Sequence, residues 1–224
     1  MKNLIKFHAL TQRGFKGCLL CLLSFALLSC IGVNADIVFN ADNSGSITLE
    51  YRVNHALMNL GQFDSNEAYP ILPLGRNDFE RTLSRVPGLS LVSHNIRTED
   101  LDTVIRARLR FADIDALLGF LDQSGRGAIY VNEHNSQKLI LVLGTGHMSR
   151  NNDIDDFIRD ISASYNISFS FSFPAEASLA LLDDQGQDFN AAIHINPRGR
   201  NIGFSVALEN VLYADNGLIA QIVF

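Results

Sequence analysis

No aspartate or glutamate occurs in the first 29 residues of this 224-residue chain, and no cysteine occurs after residue 30. The first absence leaves Lys2, Lys6, Arg13 and Lys16 unopposed ahead of an apolar run from Cys18 to Leu28, the layout of an export signal. At about eleven residues the run falls short of the roughly twenty that a spanning helix needs, so a cleaved signal over 1–29 is expected. The second absence excludes internal disulfides after export, because Cys18 and Cys21 leave with the signal and Cys30 remains alone. Stability must then come from core packing, for which 47% hydrophobic and 19% charged residues are the composition of a globular chain.

The cations of the signal also hide how acidic the rest is. The whole chain carries 18 basic and 24 acidic residues, a net −6; without the four signal cations it is 14 against 24, or −10. An acidic domain lacking clustered cations is not built for a phosphate backbone, and no nucleic-acid module is legible, so nucleic acid is excluded as a partner.

Leu27, Leu28 and Ser29 ahead of Cys30 resemble the lipobox of bacterial lipoproteins, in which the cysteine becomes the lipidated first residue of the mature chain. Leu28 is larger than the residue usual at that place. The resemblance implies anchoring to a cell membrane or outer membrane, outside the cytoplasm, through two or more acyl chains on Cys30. Residues 30–36 are expected as the lipidated cysteine and its tether, and 37–224 as one domain.

Along that domain the hydrophobic period switches between two residues and about 3.6, which predicts an α+β fold. Gly45 to Asn54 alternates as a strand with one wet face. Asn77 to Val86 reads as a helix, with Asn77 and Glu80 spaced as a capping box and Pro87-Gly88 as its stop. Strands are expected at Leu89 to Ile96 and Thr103 to Phe111, then a helix capped by Asp113 with Ile114, Leu117, Leu118 and Leu121 on one stripe. A hairpin over Ala128 to Gly144 and a helix over Asn152 to Tyr165 follow. Strands are then expected at Ile167 to Phe173, Phe189 to Ile195, Ile202 to Leu208 and Leu218 to Phe224. The order predicts an antiparallel sheet with about three helices packed on it, ferredoxin-like in its first half and all-β in its C-terminal part.

Common catalytic motifs are missing: there is no G-x-S-x-G, H-E-x-x-H, Walker loop or G-x-G-x-x-G. Cys18 and Cys21 have redox spacing but lie inside the signal. His55, His94, His134 and His194 stand singly, without metal-ligand spacing, and no cofactor is implied. Gly144 to Asp156 is the best catalytic candidate, with His147 as base beside Asp153 in an envelope hydrolase. A glycine-rich hairpin exit followed by an acidic first turn of a helix accounts for the same residues.

Two patterns suit binding better than catalysis. Arg106, Arg108 and Arg110 share one strand face and suit an anionic head group or glycan acid, unless neighbours such as Glu50 neutralise them. Phe169, Phe171 and Phe173 share a face of the strand "ISFSFSF" and would either wall a lipid-sized pocket or form ordinary core.

Two stretches, "SGSITLEYRV" and "LPLGRNDFERTLSRVPGLSLVS", resemble a group of uncharacterised spirochaete-type bacterial lipoproteins. The matching residues are Gly45, Ser46, Tyr51 and Arg52, then Asp78, Phe79, Glu80 and Arg81, with Pro87, Gly88 and Leu89 after them. The resemblance covers the signal and roughly residues 44–122. More distantly the layout is similar to LppM-type lipoproteins, whose domain is thought to hold lipid or glycolipid. It implies a lipid-anchored envelope protein, a non-catalytic binding or scaffolding module for an amphipathic or lipid ligand. Alternatives are the hydrolase and a structural adaptor docking an envelope protein. The resemblance supplies no catalytic residues.

Overall fold

The structure is a computed structural model, and it describes residues 31–54, 75–99, 102–122, 127–133, 136–143, 165–183, 185–190, 192–212 and 217–224. Ten strands among these residues join one sheet: β1 (Ile31–Phe39), β2 (Gly45–Asn54), β3 (Leu89–Glu99), β4 (Asp102–Phe111), β5 (Ala128–Glu133), β6 (Ser136–Leu143), β7 (Asn166–Leu182), β8 (Ala192–Ile195), β9 (Arg198–Ala207) and β10 (Leu218–Val223). Three short helices accompany them: α1 (Arg76–Leu83), α2 (Ile114–Leu121) and α3 (Leu208–Leu212).

The main path runs β3-β4-β2-β1-β7-β10-β6-β5 and curls into a half-barrel. β9 pairs with the free side of β7, and β8 pairs with β9. β4, β7 and β10 alternate along most of their length, so one face of the curl is apolar. Ile37, Ile47, Leu109, Phe171, Phe204, Leu139 and Leu218 all lie in one buried cluster there. α2 touches β3 and β4 at one end of the path and β5 at the other, so it bridges the mouth of the half-barrel with Ala116 and Leu117 buried. Asp113 caps it as expected, its Oδ1 accepting from the Ala116 N–H at 2.8 Å.

The expected α+β, ferredoxin-like fold is overturned: the protein is mostly β. A ferredoxin-like unit needs helices long enough to cover one sheet face, and α1 and α2 have only eight residues each. The curl covers its own apolar face instead, as barrels do. Of the helix expected over Asn152 to Tyr165, residues 152–164 lie outside the described residues.

Two strands depart from expectation for related reasons. Residues 31–36, expected as a tether, belong to β1, whose Val33, Ala35, Ile37 and Phe39 alternate inward. β1 is antiparallel to β2 and parallel to β7, with Val33 opposite Ile167, and that remote partner makes it a strand. β7 was expected to stop before Pro174 but runs on to Leu182. Its register on β9 shifts between Ser172 and Ala177, and Pro174 sits in that irregularity, where no ladder donor is required. α1 is capped from Gly75, whose N–H donates to Asp78 Oδ2 at 3.0 Å, rather than by the expected Asn77 and Glu80 pair.

Tyr51 gives the fold a pH dependence. It is 1% exposed and lies 6.4 Å, ring to ring, from Phe79. Burial, and after it the charge of Asp78, holds its hydroxyl well above the ordinary tyrosine value of 10.0. Above that value the unfolded chain releases this proton while the folded chain keeps it, so stability falls as pH rises, by up to about 1.4 kcal/mol per pH unit. Urea midpoints measured from pH 9 to 11.5 should drop more steeply in the wild type than in Tyr51→Phe. Equal slopes would show that Tyr51 ionises freely in the native state.

Candidate functional site: a polar sheet face with a row of three arginines

The outward positions of five neighbouring strands form the second face. Register sets Arg106 opposite Glu50, Glu50 opposite Asn34, Asn34 beside Ser168, and Ser168 opposite Ser205. The next row is Arg108, Thr48, Asp36, Ser170 and Gly203, and the third is Arg110, Ser46, Val38, Ser172 and Asn201. Small hydroxyl and amide side chains leave this face low in its middle. A hollow of about 250 Å³ lies there, lined by Asn34, Asp36, Thr48, Glu50, Arg106, Ser168 and Ser170. Ser168 and Ser205 join Oγ to Oγ at 2.9 Å. Gly203 keeps the row flat, because a Cβ there would sit 2.5 Å from the Phe169 carbonyl oxygen.

The charges divide into a paired and an unpaired group. At one end Arg52 meets Glu99 at 3.0 Å, and Arg97 meets Glu99 at 2.7 Å and Glu50 at 3.8 Å. Arg52 and Arg97 are the register partners of Val104, which faces outward yet is only 1% exposed. Arginine stems lie over apolar surface while their heads stay in water, and that accounts for its burial. Glu50, the neighbour expected to neutralise the arginine row, is thus turned to Arg97. Among the described residues Arg106, Arg108 and Arg110 form no ion pair, and all three are exposed. Guanidiniums two residues apart on a strand repeat about every 7 Å. Each offers a planar fork of donors matched to a carboxylate or phosphate.

The other expected site residues lie elsewhere. Phe169, Phe171 and Phe173 point into the core as a stacked ladder, with centroids 6.0 and 6.3 Å apart. Phe173 also lines a crevice of about 150 Å³ at the end of β1. Cys30, His147 and Asp153 lie outside the described residues. His94 packs against Phe79 with centroids 5.2 Å apart, and His194 is on the edge strand β8. Among the described residues no group of three His, Cys, Asp or Glu side chains could hold a metal ion, and no helix is long and apolar enough to cross a membrane.

Sequence reasoning singled out the arginines but passed over Asn34, Asp36, Ser168 and Ser170 as partners in one site. The signal was the same two-residue alternation, read for each strand by itself. Only the parallel pairing of β1 with β7 brings the two halves of the hollow together.

The class defined by this arrangement is a curled, mostly β half-barrel with a polar outer face. No protein-family model matches the chain, and no curated protein matches it. The chain is similar to the folded domain of the LppM protein of Mycobacterium tuberculosis, solved by NMR. The likeness has a TM-score of 0.43 at 13% identity and covers 85% of this chain and 88% of that one. No residue's role is carried over from that domain.

Proposed function

We propose that this chain is a non-catalytic binding module of the cell envelope, exported and held to the cell membrane or outer membrane by lipid on Cys30. Its binding surface is the outer sheet face, and its ligand carries acid groups of the kind found on anionic lipid head groups and acidic glycans. The observation that supports this reading is the row Arg106, Arg108 and Arg110, three exposed guanidiniums that form no ion pair among the described residues and stand beside a hydroxyl-lined hollow. In a domain of net −10 such a row is a local positive patch, so it selects by contact geometry rather than by long-range attraction.

The test compares the wild type with Arg106→Glu/Arg108→Glu on phosphatidylglycerol vesicles and on a soluble uronic-acid oligosaccharide. Binding to one of the two should fall at least about tenfold in the variant, since a hydrogen bond to a charged group contributes roughly 1.5–3 kcal/mol. The melting temperature should hold, because both side chains are exposed. Unchanged binding, or none in the wild type to either probe, would remove the ligand assignment. The same preparations test the anchor: Cys30→Ala should lose palmitate labelling and leave the membrane fraction.

A further inference from the structure

The crevice beside Phe173 has a separate chemistry and shares no residue with the arginine-lined hollow. It exists because β7 changes partners. Up to Ser172, β7 pairs with β1, and from Ser178 it pairs with β10; between them residues 173–176 bulge out of the ladder, and Ala177 rejoins it opposite Gly199 of β9. Aromatic rings fill the gap between the two strand ends. Phe39 lies nearly parallel to Phe173, with centroids 4.8 Å apart and planes at 10°, and Phe173 stacks on Phe224 at 4.4 Å. The remaining space, about 150 Å³, is lined by these three rings, by Pro174, Ala175 and Ala41, and by the polar side chains of Gln137, Asn40 and Asn43.

The crevice opens to solvent, and its volume is about that needed for one benzene-sized ring. Gln137 adds a buried acceptor. Its backbone is held on both sides by Phe224, the Gln137 N–H donating to the Phe224 carbonyl oxygen and the Phe224 N–H to that of Gln137, each at 2.9 Å. Its side-chain Oε1 is sealed from solvent and accepts no hydrogen bond among the described residues. A buried acceptor left unmatched is costly, and the last torsion of a glutamine is soft. Turning Oε1 toward the crevice therefore forfeits no hydrogen bond at that oxygen, and a ligand bearing a donor would reward it.

We infer that the seam formed by Phe39, Phe173, Phe224 and Gln137 is a binding site for a small aryl ligand carrying a hydrogen-bond donor, the phenol class. The ring stacks among the phenylalanines in offset or edge-on geometry, and the hydroxyl donates to Gln137 Oε1. This assignment is independent of the anionic-ligand reading.

The experiment titrates the purified full chain with phenol and with toluene, following the phenylalanine rings and the Gln137 side-chain amide by NMR. Phenol is the costlier of the two to strip of water, yet it should bind at least as tightly as toluene, saturating one site that shifts Phe39, Phe173 and Phe224. In Gln137→Met phenol should weaken roughly five- to tenfold while toluene does not, with no loss of melting temperature. Ala175→Leu, a substitution on the exposed bulge, should fill the crevice and block both compounds. The proposal is overturned if neither compound saturates, or if Ala175→Leu leaves binding intact. It is equally overturned if Gln137→Met weakens both alike or neither, as it would where an ordered water already satisfies Oε1.

Discussion

Gly45→Ala should lower the unfolding free energy by about 3 kcal/mol or more, a loss measured by urea denaturation. Gly45 opens β2 and is the register partner of two aromatics, Phe39 on β1 and Phe111 on β4. Those rings meet edge to face across it, with centroids 5.6 Å apart and planes at 69°. A Cβ on Gly45 would fall on the Val38 carbonyl oxygen and on the Phe111 ring. The ring could shift at the expense of core packing. The carbonyl is backbone, and the turn after it is closed by hydrogen bonds from Asn40 N–H to the Ser44 carbonyl at 2.7 Å and from Asn43 N–H to the Asn40 carbonyl at 3.1 Å. Relief therefore means displacing the hairpin that brings β1 into the middle of the sheet. Ser46→Ala, one residue along on the polar face, should change stability by less than about 0.5 kcal/mol and serves as the control. A Gly45→Ala loss below about 1 kcal/mol would mean that the hairpin yields more readily than its hydrogen bonds imply.

Phe171→Ala is expected to cost about 3–5 kcal/mol, the range for truncating a buried aromatic, against the 5–15 kcal/mol by which domains are usually stable. Phe171 is 1% exposed, and its neighbours across the ladder are Ile37 on β1 and Ile202 on β9. Phe169 lies on one side of its ring, with planes at 9°, and Phe173 on the other, with planes at 15°. This measurement also separates the two readings of the phenylalanine strand. A ring packed in the core loses its contacts and leaves a cavity when cut back to alanine. A ring that walls a ligand pocket already faces open space, and its removal should cost nearer 1 kcal/mol. Phe173 should behave as the intermediate case, because it lines the crevice at the seam while remaining 5% exposed.

How far the site could be read from sequence follows the reach of its signals. Arg106, Arg108 and Arg110 were legible as one face because a period of two residues is a local property of β4. That Glu50 would leave them for Arg97 was not legible, since the choice depends on β3 lying beside β4 rather than on β2 alone. The phenylalanine face was equally legible in "ISFSFSF". Phe39, Gln137 and Phe224, which build the crevice around Phe173, are 36 to 134 residues away from it, and no local pattern links them.

By itself the sequence determined the alternation of β2, β4 and β7, the Asp113 cap of α2 and the acidic balance beyond the signal-like segment. These depend on neighbouring residues or on composition, and nearest-neighbour sterics and hydrogen bonding act within a few positions. The tertiary structure alone decided that residues 31–36 form a strand, that β7 passes Pro174, and that the sheet curls over its own core instead of receiving a layer of helices. Those outcomes rest on strand partners far apart in the chain, as with Val33 beside Ile167. Alternation tells a strand which face to bury, but not which strand it will lie against.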